Sequence, residues 1–380
     1  MPRGTSGGCA GWWRSSRAVS SAREGRLAAL VDRLVANHLD GVLITSLPNI
    51  RYLTGFSGSN ALLFVSARDV YLVTDFRYET QAADEAGDVA DVRVEASSLW
   101  SGLWTLLAPL PGLQALGFES AHLIHRDFQR LLEQGERYHW RPSTELVEEL
   151  RARKDADEVA LIRTAGAMAM EALRETLDGV RPGMTELAVC GALERALRRA
   201  GSDAHPFPPI IASGPRSALP HARASDRAIA PGEFLLLDFG ASAGGYCSDV
   251  TRTVVVGRAD ERQRATYEAV QEANAVAREG VRAGMRGREA DALARGVLEA
   301  RGLGERFGHG LGHGIGLQVH EAPRLSRLAE EVLPLGSVVT IEPGVYVPEW
   351  GGVRIEDDVH LSADGAELLT HFTRELLELT

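Results

Sequence analysis

Cysteine is scarce in this chain. The three residues present, Cys9, Cys190 and Cys247, lie far apart over 380 positions and form no C-x-x-C pair. That excludes a disulfide framework and a thiolate zinc knot, and it fits a reducing cytoplasm. No run of 18 or more apolar residues exists, so no segment reads as a membrane span. Positive charge is in deficit, with 41 Lys and Arg against 52 Asp and Glu and a net charge of -11. A nucleic-acid partner needs a basic face whose cations displace counterions from phosphate, so nucleic acid is excluded as a substrate. An apolar signal-peptide core is missing too: residues 1–25 are basic and rich in Gly, Ser and Arg, and read as a disordered extension or an over-long start.

What is present is a globular composition, 44% hydrophobic and 24% charged, over a length that suits two domains of ~100 to 200 residues each. Apolar residues at Leu27, Leu30, Val31, Leu34 and Val35 follow the one-face period of a helix. The short runs "GVLITS", "ALLFVS", "VYLVTD", "DVRVEA" and "ALGFES" then read as strands, alternating with helix-like stretches such as residues 78–86. This predicts an α/β domain over residues 26–145, closed by the turn-like "RPST". A segment rich in Ala, Leu, Glu and Arg follows as linker and first helix of a second domain, residues 150–380.

The second domain carries an internal repeat. "GVRPGM" at Gly179 to Met184 recurs as "GVRAGM" at Gly280 to Met285, with five of six letters identical. Each copy closes one helical stretch, opens another (residues 186–200 and 289–301) and then reaches a glycine, Gly201 or Gly302. Two similar halves facing one another predict a pseudo-twofold fold with a cleft between them.

Each half also carries an acid pair on a hairpin. In "FLLLDFGASAGGYCSDVTRTVVV", Asp238 and Asp249 are equidistant from a centre at Ala243 and Gly244, and a hairpin folded there sets them directly opposite. In "VVTIEPGVYVPEWGGVRIEDDVHL", Glu342 and Glu356 are equidistant from Glu349. Like charges so placed destabilise a sheet unless something positive lies between them. Acids on outward strand faces would be commonplace, but residues 235–237, 254–256 and 338–341 are apolar enough for strands buried on both sides, where an uncompensated carboxylate is costly. Four carboxylates plus imidazole suit Mn²⁺, with Co²⁺ or Zn²⁺ able to occupy the same site, and the ligand count fits two ions sharing carboxylates and one hydroxide. In "FGHGLGHGIGLQVHE", residues 307–321, glycines let the backbone approach such a cleft while one histidine supplies nitrogen to an ion and the others line the place of the substrate.

Asp238, Asp249, His313, Glu342 and Glu356, set in "LLLDFG", "CSDVTRT", "GHGIGLQVHE", "IEPG" and "GGVRIED", resemble the creatinase and methionine aminopeptidase superfamily, the pita-bread peptidases. Within it the chain resembles the proline-specific branch of prolidase and aminopeptidase P, because "NIRYLTGFSGS" at residues 49–59 is similar to that branch's amino-terminal domain. The resemblance implies a creatinase-like α/β domain followed by a pita-bread catalytic domain, with an antiparallel sheet and flanking helices, mixing α/β and α+β character. It implies hydrolysis of Xaa-Pro bonds with two metal ions held by those five side chains, a homodimer, and no membrane partner. Asp238 and Asp249 resemble the ligands of one ion, and Asp249, His313 and Glu342 those of the other, with Asp249 and Glu356 touching both. Glu342 also matches the family's general base. His221 in "ALPHARAS" and His320 in "QVHEAP" match two substrate-facing histidines, and His309 matches a position whose role is substrate binding or support of the ligands.

Arg354 lies two residues before Glu356, on the same strand face, where it could orient a ligand carboxylate or contact substrate; Thr251 stands likewise to Asp249. Cys247 shares the Asp249 face and reads as packing. An Xaa-Pro bond has no N–H and a fixed φ, so a pocket shaped for the ring can select it. Arg324, close after His320, could pair bidentately with a free carboxylate, which favours a dipeptidase over an aminopeptidase P. Other readings are a creatinase-like hydrolase, which resembles a branch with a broken ligand set, a peptide-binding module without catalysis, and a methionine aminopeptidase, which lacks the "RYLTGFSG" domain.

Overall fold

The computed structural model describes residues 10–380, with side chains described from Ser21 onward. It divides into two compact units, Met1–Leu150 and Arg151–Thr380. The first unit opens with the helix Ala10–Ala36, which takes in residues 10–25 of the expected extension; residues 1–9 lie outside the described residues. Arg23 fastens this helix by donating to Thr54 O and to Asp88 Oδ2, both at 2.6 Å. Leu27, Leu30 and Leu34 point inward as their spacing requires, whereas Val35 is exposed.

A mixed six-stranded sheet forms the centre of this unit, in the order Asp91–Glu95, Val70–Asp75, Ala61–Ser66, Gly41–Ile44, Ala115–Glu119, His139–Ser143. Its core is built from Leu43, Phe64, Leu103, Leu116 and Leu131. The last strand contains the "RPS" that reads in sequence as a terminating turn. Pro142 is admitted because His139–Ser143 is an edge strand, where a missing N–H interrupts no ladder. The second unit starts its first long helix, Ala156–Gly179, at a capping box in which Asp155 accepts from the Glu158 N–H and Glu158 returns the bond, which separates this helix from the short one at Glu148–Arg151.

The repeat is structural. Helices Ala156–Gly179 and Glu186–Arg199 in one half correspond to Glu261–Gly280 and Gly287–Ala300 in the other. The two connections are tied alike, Gly183 N to Ile229 O at 2.8 Å and Gly284 N to Leu333 O at 2.9 Å. Each helix pair covers its own sheet: Leu235, Leu237, Val250 and Val254 pack in the first half, and Val339, Ile341, Val353 and Ile355 in the second. Because strand side chains alternate, the residues between these are turned away from their own helices. Asp238, Asp249, Glu342 and Glu356 all fall on that alternate parity, which sends the four carboxylates to the seam between the halves.

Register sets how they meet. In the second hairpin Gly344 faces Arg354, and the ladder continues beyond the Pro343 break with Ile341 facing Asp357, so Glu342 lies opposite Glu356 about a tip at Glu349, as the symmetric spacing predicts. In the first, Thr251 and not Asp249 faces Asp238. The tip lies one residue later than expected, at Gly244–Gly245, with φ of 55° and 81°. Two consecutive positive φ values make the tight hairpin turn that matches strand twist, and glycine takes them without strain. Asp249 is thereby a diagonal neighbour of Asp238 on the same face. We predict that Gly245→Val costs ~1–2 kcal/mol of stability in chemical denaturation, the penalty of a left-handed backbone for an L-residue, while Gly191→Ala, on an exposed stretch of helix with open space around it, costs nothing.

Candidate metal centre

The seam collects the expected side chains. Ligand atoms of Asp249, His313 and Glu356 all lie within 4.8 Å of one another. His313 Nε2 stands 3.5 Å from Glu342 Oε1 and 3.9 Å from Asp249 Oδ2, and Asp238 is close enough to Asp249 to act on it directly. Asp238, Asp249 and Glu356 are buried and Glu342 is half-buried, and among the described residues they share one guanidinium, that of Arg354, which is ion-paired to Asp238. Burial and the neighbouring acids push Asp249 and Glu356 well above the usual carboxylate range. Burial also raises Glu342 to about 8, and raises Asp238 despite Arg354.

The residues present fit divalent cations. Burial holds His313 near a pKa of about 4, so its imidazole is neutral. Its Nδ1 lies 3.1 Å from the Gly314 carbonyl, which can only accept, so the proton is on Nδ1 and the Nε2 lone pair points at Glu342. The Nε2 lone pair of His313 and Glu342 Oε1, 3.5 Å apart, are donor atoms that one divalent cation could take up together. Asp249 Oδ1 is buried with no hydrogen-bond partner among the described residues. Asp357 provides the contrast: it is equally buried, yet Arg252 and Arg374 hold its pKa below the usual value against the cost of burial. Among the described residues, Asp238 alone of the seam acids has a guanidinium paired with it, that of Arg354.

Several supports differ from the sequence reading. Arg354 reaches across to Asp238 of the other hairpin, donates to Thr251 Oγ1 at 3.0 Å and to Tyr346 Oη at 2.6 Å, and is buried. Its donors are taken up inside the protein by Asp238, Thr251 and Tyr346. Thr251 in turn donates to Glu356 Oε2 at 2.5 Å, not to Asp249. Tyr346, which the sequence reading missed, receives Arg354 and passes its own proton to His309 Nε2 at 2.9 Å, while His309 Nδ1 donates to Gly310 O at 2.8 Å. Both nitrogens of His309 are therefore engaged, and its ring frames the centre 3.9 Å from Glu342. Asp358, also unforeseen, fixes Asp249 by accepting its backbone N–H at 3.1 Å. The glycines around His313 do not open the backbone to an ion. A Cβ on Gly312 or Gly314 would fall 2.0 Å from Thr340 O or 2.1 Å from Ala322 O, so they admit the close approach of neighbouring strands. Cys247 lies in an apolar cluster with Ile162, Ile315 and Val338.

On the open side, His320 stands with its ring 4.2 Å from that of His313, and His221 lies near Asp238, His309 and His320. Arg324 pairs in register with His313 on the adjacent strand; it is exposed, and among the described residues no carboxylate lies within ion-pair distance of it.

A buried nest of carboxylates around a neutral imidazole, formed where two related halves meet, is the centre of a metal-dependent enzyme. The chain belongs to metallopeptidase family M24, whose model matches residues 160–363, and residues 26–153 match the creatinase/prolidase N-terminal domain. A curated relative, the Xaa-Pro dipeptidase of Pyrococcus horikoshii, is 35% identical over 93% of this chain and 98% of its own. Among solved structures, an Xaa-Pro dipeptidase from Bacillus anthracis is 38% identical with a TM-score of 0.90, covering 94% of this chain and 100% of that one. An X-Pro aminopeptidase from Thermotoga maritima is 33% identical with a TM-score of 0.86, covering 93% and 99%. The pita-bread architecture expected from the sequence is thus the one observed.

If the seam holds cations, they stabilise the fold by mass action. Returning Mn²⁺ at about a hundred times its Kd to chelator-treated protein should add ~2.7 kcal/mol, read as a rise in thermal midpoint, and Asp249→Ala should abolish that rise.

Proposed function

We propose that the chain hydrolyses Xaa-Pro peptide bonds and that its preferred substrates are Xaa-Pro dipeptides. The observation that carries the choice of dipeptide is Arg324. An exposed guanidinium without an acidic partner among the described residues, aligned with His313 across paired strands, offers a bidentate site for the carboxylate of a C-terminal proline. A longer peptide has an amide at that point and gains nothing from it. The similarity to dipeptidases agrees with this reading, and the X-Pro aminopeptidase of comparable similarity supplies the second one, cleavage of longer peptides.

Asp238, Asp249, His313, Glu342 and Glu356 are assigned as the ligands of two divalent ions, with Mn²⁺ favoured by a donor set of carboxylate oxygen and one imidazole. Bound ions of this kind polarise a carbonyl and lower the pKa of water to near neutrality. Arg354 and Thr251 hold Asp238 and Glu356 in place for that purpose. Glu342, the acid flanked by both His309 and His313, takes the proton of the attacking water and returns it to the proline nitrogen as the bond breaks. His320 and His221 donate to the carbonyl oxygen as it gains charge. No helix among the described residues is long and apolar enough to cross a membrane; a cytoplasmic homodimer belongs to the same proposal.

With Mn²⁺ present, Ala-Pro should be cleaved faster than an Xaa-Pro-Yaa tripeptide or longer peptides, and a chelator should abolish the activity. Arg324→Gln should lower kcat/KM for the dipeptide by roughly 10- to 100-fold, the worth of a charge-assisted pair, and leave the tripeptide rate unchanged. Faster tripeptide cleavage in the parent enzyme would establish the aminopeptidase reading instead.

A further inference from the structure

Away from the acid centre, the first half of the second unit carries a groove of about 650 Å³ between the last turns of the helix Ala156–Gly179 and residues 371–379. That volume is within the ~300–1,000 Å³ of small-ligand sites. Its apolar part is formed by Leu177, Phe372 and Leu379, which are buried or half-buried. Arg174 and Asp178, both exposed, stand on its rim one helical turn apart, on one face of the helix. Oppositely charged residues at this spacing commonly pair. Here the Arg174 guanidinium lies toward the Phe372 ring, 5.8 Å from its centroid, and among the described residues neither charge has an ion-pair partner. Besides Arg374, which Asp357 neutralises, the groove therefore presents one cation and one anion without an ion-pair partner among the described residues, together with an aliphatic and aromatic surface.

We propose that this groove binds a free α-amino acid with an aliphatic side chain. Its carboxylate would meet Arg174, its ammonium Asp178, and its side chain Leu177, Phe372 and Leu379. A simple carboxylate satisfies only the first of these groups and an amine only the second, whereas a zwitterion satisfies both at the separation of one helical turn. Free amino acids are also the product class of the hydrolysis proposed above, and the biological sense of the site rests on that reading, although its chemistry does not. The groove shares a wall with the support of the acid centre. Arg374 in its lining makes two bonds to Asp357, at 2.7 and 2.8 Å, and Arg252 bridges Thr373 O at 3.0 Å to Glu356 O at 2.6 Å.

Calorimetric titration of the metal-loaded full chain with L-leucine tests the site directly and needs no peptidase activity. Saturable binding in the millimolar range or tighter is expected, weakened about tenfold or more by Arg174→Gln and by Asp178→Asn, and equally by replacing the ligand with leucinamide or N-acetyl-leucine. Peptide hydrolysis measured without leucine should be the same in both variants and the parent. Absence of saturable heat up to about 10 mM, or binding that neither substitution weakens, which would place leucine in the metal centre, overturns the proposal. A failure of Xaa-Pro hydrolysis would leave the binding result standing.

Discussion

The second unit depends on an excess of negative charge held out of water. Asp238, Asp249 and Glu356 are buried and Glu342 half-buried at one seam, where among the described residues only Arg354 offsets them. Burying even one uncompensated carboxylate is costly, and several together are tolerable only with cations or protons between them. The protein elsewhere shows how it neutralises a buried acid when an internal side chain is meant to do so: Asp357 receives Arg252 and Arg374 directly. At the seam only Asp238 receives such a partner, and the surrounding groups are arranged to keep the acids aimed at a common space.

Their convergence follows from strand alternation applied twice. Each half presents one parity of its strands to its own helix pair and the other parity to the opposite half. An acid at the end of an outgoing strand and another at the start of the returning one, repeated in both halves, gives four carboxylates in one place without any unusual backbone at the acids themselves. The special backbone is displaced to the hairpin tips, at Gly244–Gly245 and Glu349.

The sequence makes much of this legible, and the reasons are local. Apolar runs long enough for two-sided burial identify the strands, the recurring "GVRxGM" identifies the halves, and equal spacing about Glu349 gives the second register correctly. The first register is displaced because two adjacent glycines outrank geometric symmetry as a turn signal. The sixth strand of the first unit is hidden by Pro142, which reads as a terminator unless the strand is known to lie at an edge. The partners of Arg354, Thr251 and Tyr346 are beyond sequence spacing altogether. Proximity along the strand pairs Arg354 with Glu356 and Thr251 with Asp249, whereas packing of one hairpin on the other exchanges them. Tyr346 carries no sequence signal beyond being an aromatic on a strand that points to the seam.

That exchange runs in both directions. Arg354 of the second half serves Asp238 of the first, and Arg252 of the first half serves Asp357 and the Glu356 carbonyl of the second. Neither half is electrostatically self-sufficient, although each has its own helices and apolar interior. A polypeptide made of one half alone would carry orphaned ions on its inner face and could recover them only by joining a second copy. Duplication followed by fusion would preserve the reciprocal loans of charge within one chain, and afterwards neither half could drift in sequence at these positions without a matching change in its twin.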